Sequence, residues 1–188
     1  MARPISKKSE VTDAALALFM KKGIKGTTTR DIALRAGIAE GTIYRHFESK
    51  AKLAEIIFEQ NIDFFWKFLK GYLKNVKTPE EMLGAFVHGY FEFSRREQKR
   101  YSYLSAAHQT ELKKHSRDKM KPMQMLKKIL RLGQKQGRFR ELDTSLTGAM
   151  IMGTIIQTIF YLKTGRIAVK YHEVTEEVMQ TCLKIVQK

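Results

Sequence analysis

Between Thr27 and Lys50 the chain sets hydroxyl, cationic and very small side chains close together: Thr28, Thr29 and Arg30, then Ala39 to Thr42, then Tyr44, Arg45 and His46, and finally Lys50. These residue types suit hydrogen bonding to an anionic polymer and to the edges of bases. A hydroxyl, an imidazole N–H or an ammonium donates to phosphate oxygen, which makes Thr29, Tyr44, His46 and Lys50 candidate phosphate contacts, with Thr28 and Arg30 beside them. A helix entering a groove ~12 Å wide needs small or hydrogen-bonding residues at its leading end, and Ala39, Gly41 and Thr42 meet that demand. Arg45 can donate to a guanine edge. Glu40 has two readings: it can accept from a cytosine amine, or it can be a first-turn anion favoured by the helix dipole.

The neighbouring pattern supplies elements to hold these groups. Thr28 precedes Asp31 by three positions, the spacing of a capping box with Asp in place of Glu or Gln, and Ile32 and Ala33 begin a buried face that Gly37 ends. A helix from about Glu40 to Phe47 places Ile43 and Phe47 one turn apart, facing inward, while the side chains between them face out. Upstream, Val11, Ala15, Leu18 and Phe19 recur at helical spacing from Ser6 to Lys22, and Lys21-Lys22-Gly23 is a stop. Two short helices about a Gly-containing turn, braced by a third, form a helix-turn-helix.

The remainder is also helical in pattern. Ser49 caps a long helix from about Lys50 to Leu73. Thr78-Pro79-Glu80-Glu81 is a strong start, with Thr as cap, Pro in the first turn and Glu three positions after the cap, for a helix ending near Arg96. Further patterns cover about Lys99 to Lys113, Arg117 to Gln136, Asp143 to Leu162 and His172 to Val186, with Gly137 and Gly165 as stops. No alternating strand interrupts them, so an all-α fold of about nine helices is expected. It divides into residues 1–50 and 51–188, joined through the long helix because no Pro-, Gly- or Ser-rich linker separates them.

Charge narrows the partners. The 188 residues are 43% hydrophobic, enough for one or two cores, yet carry a net charge of +16, which attracts nucleic acid, anionic membranes or acidic ligands. The excess is uneven: residues 1–50 hold ten basic and five acidic groups, whereas Arg95 to Arg140 holds fifteen and three. Cys182 is the single cysteine, which excludes an intramolecular disulfide and fits a reducing cytoplasm. The polar, basic start from Met1 to Glu10 gives no sign of export. The uncharged run from Thr144 to Leu162 approaches a membrane span in length, but Ser145, Thr147, Thr154, Gln157 and Thr158 favour a soluble core or subunit contact. His46, His88, His108, His115 and His172 show no metal-binding spacing, and Glu111 with His115 is a lone helical pair. No catalytic set, metal or cofactor is expected, and the chain does not read as an enzyme.

Taken together, Thr28-Thr29-Arg30-Asp31-Ile32-Ala33, Gly37 through Phe47, and Ser49-Lys50 resemble, in order and spacing, the DNA-binding domain of the TetR family of bacterial transcriptional regulators. The resemblance runs from about Ser6 to Leu53. It implies that Thr29, Thr42, Tyr44, His46 and Lys50 contact phosphates of a double-stranded DNA operator, and that Ala39, Gly41 and Arg45 lie where bases are read. Residues 54–188 resemble the family only in helix count and layout.

The same resemblance implies a homodimer built on the last two long helices, packed as a four-helix bundle. Leu146, Ala149, Met150, Gly153, Ile156 and Phe160 form a suitable apolar stripe, the alternative being a helix buried inside one subunit. A small-molecule effector pocket is expected among the middle helices, near Phe64, Phe68, Phe86, His88, Tyr90, Phe91 and Tyr103. Most of these aromatic residues also read as plain core, and His88 as a hydrogen-bonded core histidine. Arg95, Arg96, Lys99 and Arg100 suit the anionic end of an apolar effector such as a fatty acyl thioester of coenzyme A, or form a basic surface that aids solubility and attraction to DNA. The expected activity is that of a repressor released by its effector. The alternative is an architectural nucleic-acid binder, marked by a steep salt slope without sequence preference.

Overall fold

A computed structural model of the chain describes residues 7–111 and 121–188, the side chains of 107–111 apart. Among the described residues the regular elements are all α-helices: α1 (Lys7–Lys22), α2 (Thr29–Ala36), α3 (Glu40–His46), α4 (Lys50–Leu73), α5 (Pro79–Arg96), α6 (Gln98–Glu111), α7 (Lys121–Lys135), α8 (Thr144–Lys163) and α9 (Tyr171–Val186). Ser6, Lys113, Arg117 and His115, named above as helix ends or as one of a pair, lie outside the described residues. The helices form two compact units. The first holds α1 to α3, α4 as far as Asp63, and α6 from Lys99; the second holds the rest of α4, α5, and α7 to α9.

In the first unit, Val11, Ala15 and Phe19 of α1 meet Ile32 and Ala33 of α2, Ile43 of α3, Phe47 just beyond it, and Leu53 and Ile57 of α4 in one apolar cluster. Turning α2 into α3 requires a left-handed residue, and Gly37 supplies it at φ 65°, its N–H reaching the last carbonyls of α2. At the start of α2 the capping box is complete: the Asp31 N–H donates to Thr28 Oγ1 at 3.0 Å and the Thr28 N–H donates to Asp31 Oδ2 at 2.8 Å. Lys22 Nζ donates to the same oxygen at 2.7 Å. The Lys22 hydrogen bond, followed by the Thr28 N–H, holds the Asp31 carboxyl well below the ordinary Asp value of 3.8.

A carboxyl with a depressed pKa contributes stability above its ordinary value and loses it only as pH falls through the lower folded value. The α1–α2 corner should therefore keep its charge pair in acid that protonates ordinary aspartates. Lys22→Met should move the Asp31 midpoint back up toward 3.8 in a carboxyl-carbon NMR titration. A midpoint indifferent to Lys22 would leave Thr28, through its backbone and side chain, as the cause.

The second unit is organised around α5, which packs on α7, α8 and α9. Thr78 and Glu81 cap it reciprocally, Pro79 occupies its first turn, and Leu83, Phe86, Val87, Tyr90, Phe91 and Phe93 are buried. Cys182 of α9 faces this core, and burial pushes its thiol up to about 12, which keeps it in the unreactive form. Tyr171 pins the start of α9 to α5: its hydroxyl donates to the Phe91 carbonyl at 3.0 Å and contacts the Ser94 hydroxyl.

α8 is two-faced. Thr147, Gly148, Ile151, Met152, Ile155 and Ile159 point inward. Leu146, Met150 and Phe160 are 59%, 51% and 47% exposed, Ala149 and Gly153 are exposed with them, and Ile156 is half-buried. α8 is also long and apolar enough to cross a membrane, with a third of its most apolar window buried within the chain.

Candidate nucleic-acid interface

α3 is held by two anchors. Ile43 and Phe47, 0% and 3% exposed, sit in the core of the first unit. The helical period therefore turns Tyr44, Arg45 and His46 outward, and all three are exposed. At the leading end Ala39, Glu40 and Gly41 are exposed too. A methyl group on Gly41 would meet nothing within 4 Å, so internal packing does not demand glycine there and the space it leaves opens to the outside.

Hydrogen bonds join these residues into one surface. Thr29 Oγ1 donates to Glu40 Oε1 at 2.5 Å and lies 3.3 Å from the Tyr44 hydroxyl, linking the first turn of α2 to α3. Arg45 Nη2 donates to Thr42 Oγ1 at 3.1 Å. Arg30 is exposed one residue beyond Thr29, and Thr28 keeps its hydroxyl at the rim as the cap of α2. Of the expected contacts, Thr29 is half-buried and two more depart from the exposed rest. Thr42 is 7% exposed, its hydroxyl turned to Arg45. Lys50 is half-buried and donates to the carbonyls of Ile24 at 2.9 Å and Thr27 at 2.6 Å, closing the α1–α2 loop onto the start of α4 and keeping one N–H in reserve. Lys8, which the motif does not include, places its ammonium over the Phe47 ring at 5.7 Å; its partner is nearly forty positions away, beyond any periodic signal.

The aromatic residues expected around an effector separate between the units. In the second, Phe93 gathers Phe64, Phe65 and Phe68 at ring distances of 6.3, 4.3 and 5.3 Å, and Phe86 meets Tyr90 at 5.2 Å. Phe86, Tyr90 and Phe91 are buried, Phe68 half-buried and Phe64 exposed. His88 is not the core histidine that its apolar neighbours suggest. It is exposed, because it lies on the α5 stripe of Glu81 and Arg95, seven residues to either side and both exposed. There it borders an apolar cleft of about 530 Å³ with Tyr72, Val76, Met179 and Leu183. Tyr103 belongs to the other unit: it is buried there and its hydroxyl donates to the Ala54 carbonyl at 3.1 Å, tying α6 to α4.

The expected anion-binding cations divide in the same way. Arg95 and Arg96 end α5 in the second unit and share Glu92, at 2.9 and 2.6 Å. Arg95 above all holds the Glu92 carboxyl below its usual range. Lys99 and Arg100 open α6 in the first unit, Lys99 exposed and Arg100 donating to the buried Asn61 Oδ1 at 2.9 Å. Among the described residues, no three His, Cys, Asp or Glu side chains group as a metal ion requires.

Relatives extend over both units. A curated repressor of Mycolicibacterium smegmatis, KstR2, is 29% identical over 175 residues, 87% of this chain and 83% of the relative. The fatty acid metabolism regulator protein of Bacillus subtilis is 27% identical over 159 residues, 80% of each. Among solved structures, the Bacillus subtilis regulator FadR in complex with stearoyl-CoA shares the fold with a TM-score of 0.76 at 24% identity, covering 95% of this chain and 98% of that one. Residues 11–57, which carry the exposed α3 and its anchors, match the profile of bacterial regulatory proteins of the tetR family, and residues 58–188 match the tetracyclin repressor-like C-terminal domain, so the chain belongs to the TetR family of transcriptional regulators.

Proposed function

We propose that the chain is a homodimeric repressor that binds a pseudo-palindromic double-stranded DNA operator in the cytoplasm and leaves it when a small apolar effector with an anionic end occupies the second unit. The observation that carries this reading is the outward display of Tyr44, Arg45 and His46 on a helix whose Ile43 and Phe47 are fixed in the core. In this proposal Thr28, Thr29, Arg30, Tyr44, His46 and the spare N–H of Lys50 hold phosphates, and Ala39, Glu40, Gly41 and Arg45 face base edges. Thr42 acts through Arg45, whose guanidinium it orients. Residues 1–50 bind DNA; residues 51–188 dimerise and take the effector.

Two features favour an effector of acyl-coenzyme A type. The relatives include a fatty acid metabolism regulator and a FadR solved with stearoyl-CoA, and the cationic excess here falls on Arg95 to Arg140 rather than on the first 50 residues. Phe64, Phe68, Phe86, Tyr90 and Phe91 would surround the acyl chain, with His88 at the exposed edge of α5. Arg95 and Arg96 would exchange Glu92 for phosphate. For release, the effector must favour the DNA-incompetent arrangement by a few kcal/mol; tight binding alone shifts nothing.

Selection from a random double-stranded library tests DNA reading first. A pseudo-palindrome should emerge; a steep salt slope without enrichment would favour the architectural alternative. Calorimetry with stearoyl-CoA against stearyl alcohol tests the effector, and equal affinities would remove the anionic end. Tyr44→Phe should weaken all duplexes about equally, by roughly 1 kcal/mol for one lost hydrogen bond. Arg45→Ala should cost about 1–3 kcal/mol and relax preference at one position in each half-site. A uniform loss for Arg45→Ala would demote it to a phosphate contact.

A further inference from the structure

Glu40 is an anion on a surface proposed to meet phosphates. Its Oε1 accepts the Thr29 hydroxyl at 2.5 Å, and Thr29 lies 3.3 Å from the Tyr44 hydroxyl, so the carboxylate holds Thr29 directly and Tyr44 through it, two hydroxyls assigned to the DNA backbone. Among the described residues no Lys, Arg or His pairs with it, whereas Asp31, Glu55, Glu80 and Glu92 each hold a cation. It is exposed between Ala39 and Gly41, which carry too little side chain to keep a base edge away.

An unneutralised carboxylate beside phosphates lowers affinity for every duplex unless a base answers it. In the major groove only the amino groups of cytosine and adenine donate; the O6 and N7 of guanine and the O4 of thymine are acceptors and repel it. We propose that Glu40 is a specificity-determining residue of this interface: its carboxylate selects an amino-bearing base at one position of each half-site, penalises DNA lacking that base by charge repulsion, and aligns Thr29 and Tyr44. This inference rests on α3 being the groove-reading helix.

The test measures binding of the wild type and of Glu40→Gln to the duplex that the wild type enriches from a random library, and to the same duplex with the fixed base pair of each half-site inverted, which sets guanine or thymine where the amino-bearing base stood. Glutamine keeps an acceptor for Thr29, removes the charge and replaces one carboxylate oxygen by an NH2 donor, which the acceptors of guanine and thymine no longer repel. Cytosine or adenine should stand at one fixed position of each wild-type half-site. Glu40→Gln should bind the inverted duplex several-fold more tightly than the wild type does and lose about tenfold in its ratio of affinities for the two duplexes, the scale of one base-reading side chain. A repeat selection with Glu40→Gln should admit guanine or thymine at that position, where the wild type excludes both.

A loss equal on both DNAs would make Glu40 a brace for Thr29 and Tyr44 and overturn the proposal, as would unchanged selection by Glu40→Gln. Should the wild type enrich no sequence, DNA reading itself fails and this role falls with it. Enrichment by the wild type that survives Glu40→Gln at every position sinks the role of Glu40 alone.

Discussion

Met150→Asp is expected to separate the proposed dimer into monomers and to lower operator affinity by at least about a hundredfold, while leaving affinity for an isolated half-site nearly intact. Met150 lies midway along the outward face of α8, between Leu146 and Phe160, each about half exposed, with Ala149 and Gly153 small enough for a neighbouring helix to approach closely. An exposed apolar stripe of this kind is the surface that the proposed dimer would cover. In the proposed dimer the partner covers Met150, so the substitution introduces a charge into a desolvated seam. An uncompensated buried charge costs several kcal/mol, and each 1.4 kcal/mol is about tenfold in association.

The effect on DNA follows from geometry. Two recognition helices must sit about 34 Å apart to enter successive major grooves of a pseudo-palindrome, and only the dimer fixes that spacing. Sedimentation equilibrium reads the oligomeric state, and gel shift on full and half operators reads the DNA effect. A Met150→Asp chain that still sediments as a dimer would move the interface away from α8.

The first unit was legible in the sequence because its signals are local. A capping box spans four residues and the anchors Ile43 and Phe47 are one turn apart; in the second unit, too, the expected ends of α4 at Leu73 and of α5 at Arg96 are the observed ones. α3 ends one residue early because Phe47 adopts an extended conformation as its cap, and Asp143 proves to be the cap of α8 rather than its first residue. What stayed hidden depends on distant partners. The carbonyls that occupy Lys50 lie 26 and 23 residues upstream, so nothing near Lys50 shows that two of its N–H groups are engaged. Tyr103 joined an expected pocket by its aromatic type, and only the return of α6 onto α4 puts it in the other unit. The exposure of His88 was within reach of the sequence: its stripe on α5 was readable, but the apolar character of its immediate neighbours outweighed the period.

Gly133, which no sequence signal singles out, should be among the least replaceable residues of the second unit. It lies in the last turn of α7, where the chain reverses at Gly137, at φ 67°, and lays Phe139 back across the helix. A Cβ on Gly133 would stand 2.1 Å from Phe139 Cδ2 and 2.5 Å from Cγ and Cε2, an overlap that only displacement of the ring can relieve. The ring is 2% exposed and its backbone is tied on both sides. The N–H groups of Arg138 and Phe139 donate to the Gly133 carbonyl at 2.9 and 3.1 Å, Arg140 N–H donates to the Val186 carbonyl at 3.0 Å, and Arg138 reaches Glu80 at 2.7 Å.

Gly133→Ala should therefore destabilise the fold by about 3 kcal/mol, the upper range for overpacking, although the same change in an open helix would stabilise it by roughly 0.5–1 kcal/mol. The sign alone discriminates. Phe139→Ala should cost about 3–5 kcal/mol through the cavity it leaves. The double variant should lose at least about 1 kcal/mol less than the two single losses combined, because the alanine methyl then enters space the ring has vacated. Urea unfolding at one fixed chain concentration, which holds the mass-action effect of any dimer constant, measures all three. Strictly additive losses, or a gain from Gly133→Ala, would mean that Phe139 does not rest on Gly133 in solution.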